Sequence, residues 1–312
     1  MIHVIGDIIL DCYINGTVDR VSPEAPVPVI NIKSQENKLG GAGNVASVLS
    51  DFNSPVKVWT SFANDENGKI LQDLLSRKKI EVHNFALSEV STCKTRILAS
   101  GQQVARLDKE INSTALGVEE LALIIHEIKL GDSLIVSDYS KGLLPSLADF
   151  LYKLKQKNIE TYIDPKDADI SKYKHCFLLK PNLKELKLAT LSEPDIDIDA
   201  QANWVMQQAQ ADICLVTKSA VGMSLYSTDG RFDFEVIPSE VYDVTGAGDT
   251  VIAALAYARY KGLSLTDAAF FANYCAAYAV TKIGCARMNI AELSTIMSDN
   301  QICLDILSDV KG

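Results

Sequence analysis

From Val118 onward the chain alternates between helical and strand-like runs, and no other feature restricts its fold as tightly. Residues 118–129 read as a helix, 133–137 as a strand, 145–157 as a helix, 160–164 as a strand and 176–180 as another strand. Short apolar strands alternating with amphipathic helices argue for a parallel sheet covered on both faces. The expected class is therefore α/β. Strands at 2–6, 56–62 and 212–218, a hairpin from 222–226 and 231–236, and helices at 67–79, 250–260 and 266–282 extend the pattern.

Some segments stand outside this alternation. Pro23, Pro26 and Pro28 exclude a helix interior and favour extended or edge-strand backbone over 26–32. Residues 93–98 and 102–107 flank Ser100-Gly101, a hairpin signal. These pieces are expected to form a small separate sheet from segments near 12–37 and 92–110. The stretch 187–200, with Pro194, reads as a polar surface break. With no repeat and no long linker, residues 1–312 read as one domain.

Charge narrows the function. Lys and Arg number 30 against 40 Asp and Glu, a net −10 that argues against a general nucleic-acid or membrane-surface binder. An anionic substrate would have to be held by a few placed Lys, Arg and amide groups. No basic leader or membrane-length apolar run is evident, so a cytoplasmic setting is expected. The seven cysteines are scattered without a Cys-x-x-Cys pair, as reduced and mostly buried thiols would be, and no zinc site is suggested.

The chemistry is concentrated in Val241-Tyr-Asp-Val-Thr-Gly-Ala-Gly-Asp-Thr250. Gly246-Ala247-Gly248 falls on the first turn of the helix that follows. There, unpaired amides and the helix dipole favour an anion such as a phosphoryl group. Asp249 in that turn is easily kept ionised and placed to take a proton from an attacking hydroxyl. The bland alternative is a tight loop followed by a helix-capping Asp.

A second glycine cluster, Leu39-Gly-Gly-Ala-Gly-Asn-Val-Ala46, opens a helix through Ser50. It brings backbone at Gly41 close to a polyol, while Asn44 offers a donor and an acceptor. Its formal match to a dinucleotide fingerprint is a decoy, because the preceding residues 33–38 are polar. Ligands of α/β sheets bind beyond the carboxyl ends of strands. Asp7, Asp11, Asp138, Asp164-Pro-Lys166 and Lys180-Pro-Asn182 lie at such ends. Arg106 sits on the small sheet, where it could meet an anion. Glu185 reads either as an ordinary first-turn helix acid or as a carboxylate that could organise Mg²⁺ through water. No Gly-x-x-x-x-Gly-Lys-Ser/Thr loop is present, so a Walker-type kinase is unsupported.

Asp243-Val-Thr-Gly-Ala-Gly-Asp-Thr250 resembles the C-terminal signature of the ribokinase (PfkB-type) sugar kinases, and Gly40-Gly-Ala-Gly-Asn44 resembles their N-terminal one. The resemblance implies a ribokinase-like three-layer core with a small β-sheet lid that excludes water. It implies Asp249 as base, the amides of Gly246, Ala247 and Gly248 as anion hole, and Gly41 and Asn44 on the acceptor sugar. It further places Asn182 and Glu185, from the Pro-Asn-x-x-Glu motif, together with Thr217, Lys218 and Gly222, about the nucleotide phosphates, and Asn273 on the adenine side. ATP and Mg²⁺ are the implied cofactors. A monovalent cation and a homodimer are left open.

A narrower likeness runs through Gly6-Asp7 to Asp11, Arg20-Val-Ser-Pro-Glu-Ala-Pro-Val-Pro-Val29, Arg106-Leu-Asp108, Ser137-Asp-Tyr-Ser-Lys-Gly142 and Asp164-Pro-Lys166. These are similar to the D-glycero-β-D-manno-heptose 7-phosphate kinases, which implies Arg20 and Arg106 as partners of the 7-phosphate. Lys109 departs from the pattern, standing where such kinases carry an aromatic residue. Another ribokinase-type kinase, of a hexose phosphate or nucleoside, and a non-catalytic sugar-binding protein on the same fold are the rival readings.

Overall fold

The structure, a computed structural model, describes residues 1–191, 196–282, 284–298 and 305–307. In chain order the elements are β1 (Ile2–Gly6), β2 (Ile8–Val21), β3 (Pro28–Gly41), α1 (Ala42–Asp51), β4 (Val56–Thr60), α2 (Glu66–Arg77) and β5 (Glu81–Asn84). Then come β6 (Cys93–Ala99), β7 (Gln102–Lys109), α3 (Val118–Glu127), β8 (Ser133–Ser137), α4 (Ala148–Gln156), β9 (Glu160–Asp164) and β10 (Leu178–Leu179). The rest is α5 (Leu183–Ala189), α6 (Ile198–Ala209), β11 (Ile213–Thr217), β12 (Met223–Ser227), β13 (Gly230–Phe234), α7 (Ala247–Tyr260), α8 (Leu265–Ala279) and α9 (Ile290–Ile296).

Nine strands form one sheet in the order β13-β12-β11-β10-β9-β8-β1-β4-β5. Pairing is parallel from β11 through β5, and β12 and β13 add an antiparallel edge. Alternation along each strand divides the core into two layers. Val4, Val58, Ile135 and Leu215 face α1, α7 and α8. Ile5, Trp59, Val136 and Val216 face the layer that holds α3, α4, α5 and α6. Because successive side chains of a strand point to opposite faces, strands covered on both sides read as continuous apolar runs. That is why the sheet was legible.

The second sheet has the order β3-β2-β6-β7 and is built from the segments expected near 12–37 and 92–110. Its strands β2 and β3 are buried at the end nearest the core, Ile8–Tyr13 and Leu39–Gly41, and largely exposed beyond it. The polar residues 33–38 are therefore a strand after all, belonging to this solvated sheet rather than to the parallel core. The glycine cluster follows that strand without making a dinucleotide-binding βαβ unit.

Two features differ from expectation. The stretch 187–200 is not a continuous break: α5 runs to Ala189, and α6 begins at Ile198 on Asp197, whose carboxylate accepts from the amide of Ala200 at 2.8 Å. Pro194 lies outside the described residues. The strand expected over 176–180 shortens to Leu178–Leu179. The cysteines described, Cys12, Cys93, Cys176, Cys214, Cys275 and Cys285, are buried free thiols. Among the described residues no helix is long and apolar enough to cross a membrane.

Candidate active site

Gly246 is the cap residue before α7 and has φ 76°, a left-handed conformation that favours glycine. A Cβ there would stand 2.6 Å from Asn44 Nδ2. Gly41, the cap before α1, is also left-handed at φ 58°, and a Cβ on it would meet the Asp7 carbonyl at 2.3 Å. The two glycine clusters thus bring two helix N-termini and the end of β1 together, which no bulkier residue would allow.

Asp249 lies in the first turn of α7 and is buried. The amide of Asn44 donates to one of its carboxylate oxygens at 2.8 Å, and the hydroxyl of Tyr139 donates to the other at 2.8 Å. Burial, and then the charge of Asp164, push the Asp249 carboxyl up to about 6, against the pull of Asn44, Tyr139 and Lys166. Asp249 is thus harder to ionise than its place at a helix start alone would suggest, because desolvation outweighs the donors around it. A carboxylate poised near 6 is still ionised at pH 7 and is a stronger base for it.

The amide of Ala247 donates to the Val244 carbonyl at 3.2 Å, so it is partly engaged. Lys180 is fully buried, pairs with Asp164 at 3.0 Å, and lies 3.3 Å from where a Cβ on Gly248 would be. Asp164 also holds Lys166 at 3.1 Å. Although burial opposes it, these two lysines keep the Asp164 carboxyl below its ordinary value. Its second oxygen, Oδ2, is buried without a hydrogen-bond partner.

Two cavities meet at Asp249. The larger, about 810 Å³, runs along Asn182, Thr217, Gly222 and Asn273 to the start of α7 at Ala247 and Gly248. The smaller, about 180 Å³, is lined by Asp11, Gly41, Lys94, Arg96, Arg106 and Cys285, among others. Tyr139, Gly246 and Asp249 line both. In the larger cleft, Asn273 donates to the Glu235 carbonyl at 2.8 Å, and Asn182 and Glu185 cap α5 reciprocally, each at 2.9 Å.

Other expected residues stand apart from the cavity walls. Arg20 is exposed on β2 opposite Val29, beyond two register shifts in that strand pair, and lines neither cavity. The cations that do reach the smaller cavity are Lys94 and Arg96 as well as Arg106. Arg96 pairs with Asp11, Lys94 with Asp108 at 3.0 Å, and Arg106 with Asp108 at 2.9 Å.

Asp138 is buried, lines neither cavity, and is held by Lys172 at 2.5 Å, by Tyr173 at 2.7 Å and by the Ser140 amide at 2.8 Å. Asp7 accepts from the backbone amides of Tyr139 at 2.9 Å and Lys141 at 3.2 Å on a single oxygen, Oδ2. Burial, with Asp138 nearby, raises its carboxyl to about 6. Asn44 sits behind Asp249, Lys218 pairs with Asp233 at 3.1 Å, and Glu185 holds Lys166 at 2.6 Å. Lys180 was placed at a strand end by the sequence, Tyr139 stood only inside the Ser137–Gly142 stretch with no role of its own, and Lys94 was not singled out. The i, i+2 spacing of Lys94 and Arg96 on one strand face was the available signal.

Residues 1–292 match the pfkB family of carbohydrate kinases, and the chain belongs to that family. It is an ATP-dependent sugar kinase. Over 306 residues it is 37% identical to the bifunctional protein HldE of Sulfurimonas denitrificans, a match covering 94% of this chain and 63% of that protein. The bifunctional protein HldE of Granulibacter bethesdensis is 38% identical over 314 residues, covering 96% and 65%. The chain thus spans somewhat under two thirds of the length of these curated relatives.

Among solved structures, the phosphofructokinase-2 of Escherichia coli in complex with potassium superposes with a TM-score of 0.75, covering 100% of this chain and 99% of that one at 18% identity. Ribokinase of Thermotoga maritima gives 0.73, covering 95% and 99%, also at 18% identity. At such identities the likeness is one of fold, and the fold is ribokinase-like.

Proposed function

We propose that the chain transfers the γ-phosphoryl group of ATP to the 1-hydroxyl of D-glycero-β-D-manno-heptose 7-phosphate, giving the 1,7-bisphosphate used to make nucleotide-heptose precursors of lipopolysaccharide core. The observation that carries the reading is Asp249, a buried carboxylate lining both cavities at the start of a helix. A nucleotide in the larger cleft and a sugar in the smaller cavity would meet there, in line, with water kept out. Asp249 accepts the hydroxyl proton, and the first-turn amides of α7, Gly246 and Gly248 foremost, stabilise the charge on the transferring group.

The choice of sugar is supported by the similarity to HldE proteins and by three cations, Lys94, Arg96 and Arg106, at the smaller cavity. Cations forked against a phosphate give short charge-assisted bonds. In this reading the second sheet is the lid of a single domain, Asp11 and Gly41 face the sugar, and Asn182, Thr217, Gly222 and Asn273 face the nucleotide.

Mg²⁺ would accompany ATP, where it neutralises phosphate charge. Among the described residues no group of three or more His, Cys, Asp or Glu could hold a metal directly. The unpartnered Asp164 Oδ2 and the Glu185 carboxylate fit instead as acceptors for a hydrated ion's waters. The test is ADP release with heptose 7-phosphate, fructose 6-phosphate, ribose and adenosine side by side. Turnover with heptose 7-phosphate at least tenfold more efficient than with the others is expected; preference for another acceptor overturns the sugar, and no acceptor-dependent ADP overturns the kinase.

A further inference from the structure

Tyr139 is the third residue shared by the two cavities, and it makes three separate contacts across them. Its hydroxyl donates to Asp249 Oδ1 at 2.8 Å. Its backbone amide donates to Asp7 Oδ2 at 2.9 Å. Its ring lies 5.4 Å from the ammonium group of Lys166, which is itself bound to Asp164 and Glu185 on the nucleotide side. The left-handed Ser140 (φ 54°) follows it, and the Ser140 amide is fixed to Asp138 at 2.8 Å. The loop is therefore pinned at the ends of β1 and β8 before any ligand arrives.

A carboxylate in a buried cavity has two ways to fail as a base: it can turn away from its acceptor, or it can stay protonated. A hydroxyl donor on one oxygen opposes both. It fixes the torsion of the carboxylate and favours its ionised form, while each oxygen keeps a lone pair for the incoming alcohol. Asn44 does the same on the other oxygen from α1, so Asp249 is gripped from two sides of the molecule.

We propose that Tyr139 is a positioning residue for the transfer reaction, its hydroxyl holding Asp249 ionised and aimed at the acceptor while its backbone fixes that loop to Asp7. It rests on the reading of Asp249 as base. The groups that face Asp249 besides Tyr139 are Asn44 from α1, Asp164 and Lys166 from the end of β9, Lys180 beyond β10, and the Cys285 thiol. Only Tyr139 and Asn44 bond it directly among the described residues.

Tyr139→Phe removes the hydroxyl and keeps the ring and the amide. In the whole chain it should lower kcat about five- to thirty-fold, the scale of one lost positioning hydrogen bond, with KM for ATP and acceptor within about twofold. The carboxyl ¹³C resonance of Asp249, assigned by its loss in Asp249→Asn and followed with pH in the ligand-free protein, should titrate at higher pH in Tyr139→Phe than in wild type. 3-Fluorotyrosine at 139, a stronger donor, should move that titration the opposite way and covers the case in which the Phe variant does not fold.

An Asp249 titration indifferent to both changes overturns the inference, whatever the acceptor proves to be. So does a folded Tyr139→Phe enzyme of wild-type kcat. Failure of wild type to use heptose 7-phosphate overturns only the choice of sugar, because the resonance needs no substrate.

Discussion

Asn44 and Asp249, 205 residues apart in the chain, are joined by a buried hydrogen bond of 2.8 Å. The bond ties the first helix of the chain to α7 and unites the two glycine clusters in one piece of machinery. Each cluster alone is an ordinary loop. Joined, they hold a carboxylate at the boundary of two cavities.

The first consequence concerns Asp249 itself. Asp249→Asn should lower kcat by about 10²–10⁴, the worth of a positioned base, while leaving the circular dichroism spectrum intact. ADP release with the acceptor identified by the substrate panel measures it. A folded mutant with near-wild-type turnover removes Asp249 from the role of base.

Its titration sets the pH dependence. With the carboxyl at about 6, kcat/KM should fall as pH drops through that value, because the protonated form cannot accept the hydroxyl proton. The sign for stability is opposite. A carboxyl raised from 3.8 to about 6 in the folded state binds its proton more tightly when folded, so the ionised form destabilises the protein above pH 6 and the cost vanishes below about pH 4. Asp249→Asn should therefore raise stability to urea at pH 7 by up to about 3 kcal/mol, taking roughly 1.4 kcal/mol per unit. The difference should disappear near pH 4.

Gly246→Ala places a Cβ 2.6 Å from Asn44 Nδ2 on a backbone already at φ 76°. The expected cost is about 1–3 kcal/mol of stability from the strained conformation. Displacing the Asn44 amide should also lower kcat about tenfold or more, with ATP binding by calorimetry little changed. Unaltered kcat would detach the Asn44 bond from catalysis.

Arg96→Met and Lys94→Met test the anion end of the smaller cavity. Each should raise KM for a phosphorylated acceptor about ten- to a hundredfold, as expected for one or two charge-assisted hydrogen bonds, and leave KM for ATP unchanged. Arg96→Met also leaves Asp11 buried without its cation and should cost stability, whereas Lys94→Met, at a more solvated pair, should not. Arg20→Met, exposed and away from both cavities, is the control and should change neither KM.

Periodicity exposed the parallel sheet because β1, β4, β8, β9 and β11 are covered on both faces and so read as unbroken apolar runs. It missed α6, whose start lies in polar sequence and whose stop is set by the left-handed Gln210 rather than by a glycine. The site divides in the same way. Asp249 and the glycines were legible because helix-terminus chemistry is local. The partners of Asp7 and Asp138 were not, since both are strand-end acids and only the fold of the loop 138–142 decides that Asp7 accepts from the amides of Tyr139 and Lys141 while Asp138 accepts from Ser140, Lys172 and Tyr173. Tyr139 stood in the Ser137–Gly142 stretch without a role of its own, because the partner of its hydroxyl is a residue 110 positions away.

The ribbon of β2 and β3 is rooted in the core at Ile8–Tyr13 and Leu39–Gly41, and its pairing slips between Asn15 and Gly16 and again between Val18 and Arg20. Such slips interrupt the ladder and let the outer part bend apart from the root. The outer ribbon is thus a natural place to attach a fluorescent reporter: Val21 is exposed and lines neither cavity, so a dye there would leave the buried root at Ile8–Tyr13 and Leu39–Gly41 untouched and would report any change in how the outer part is set against it.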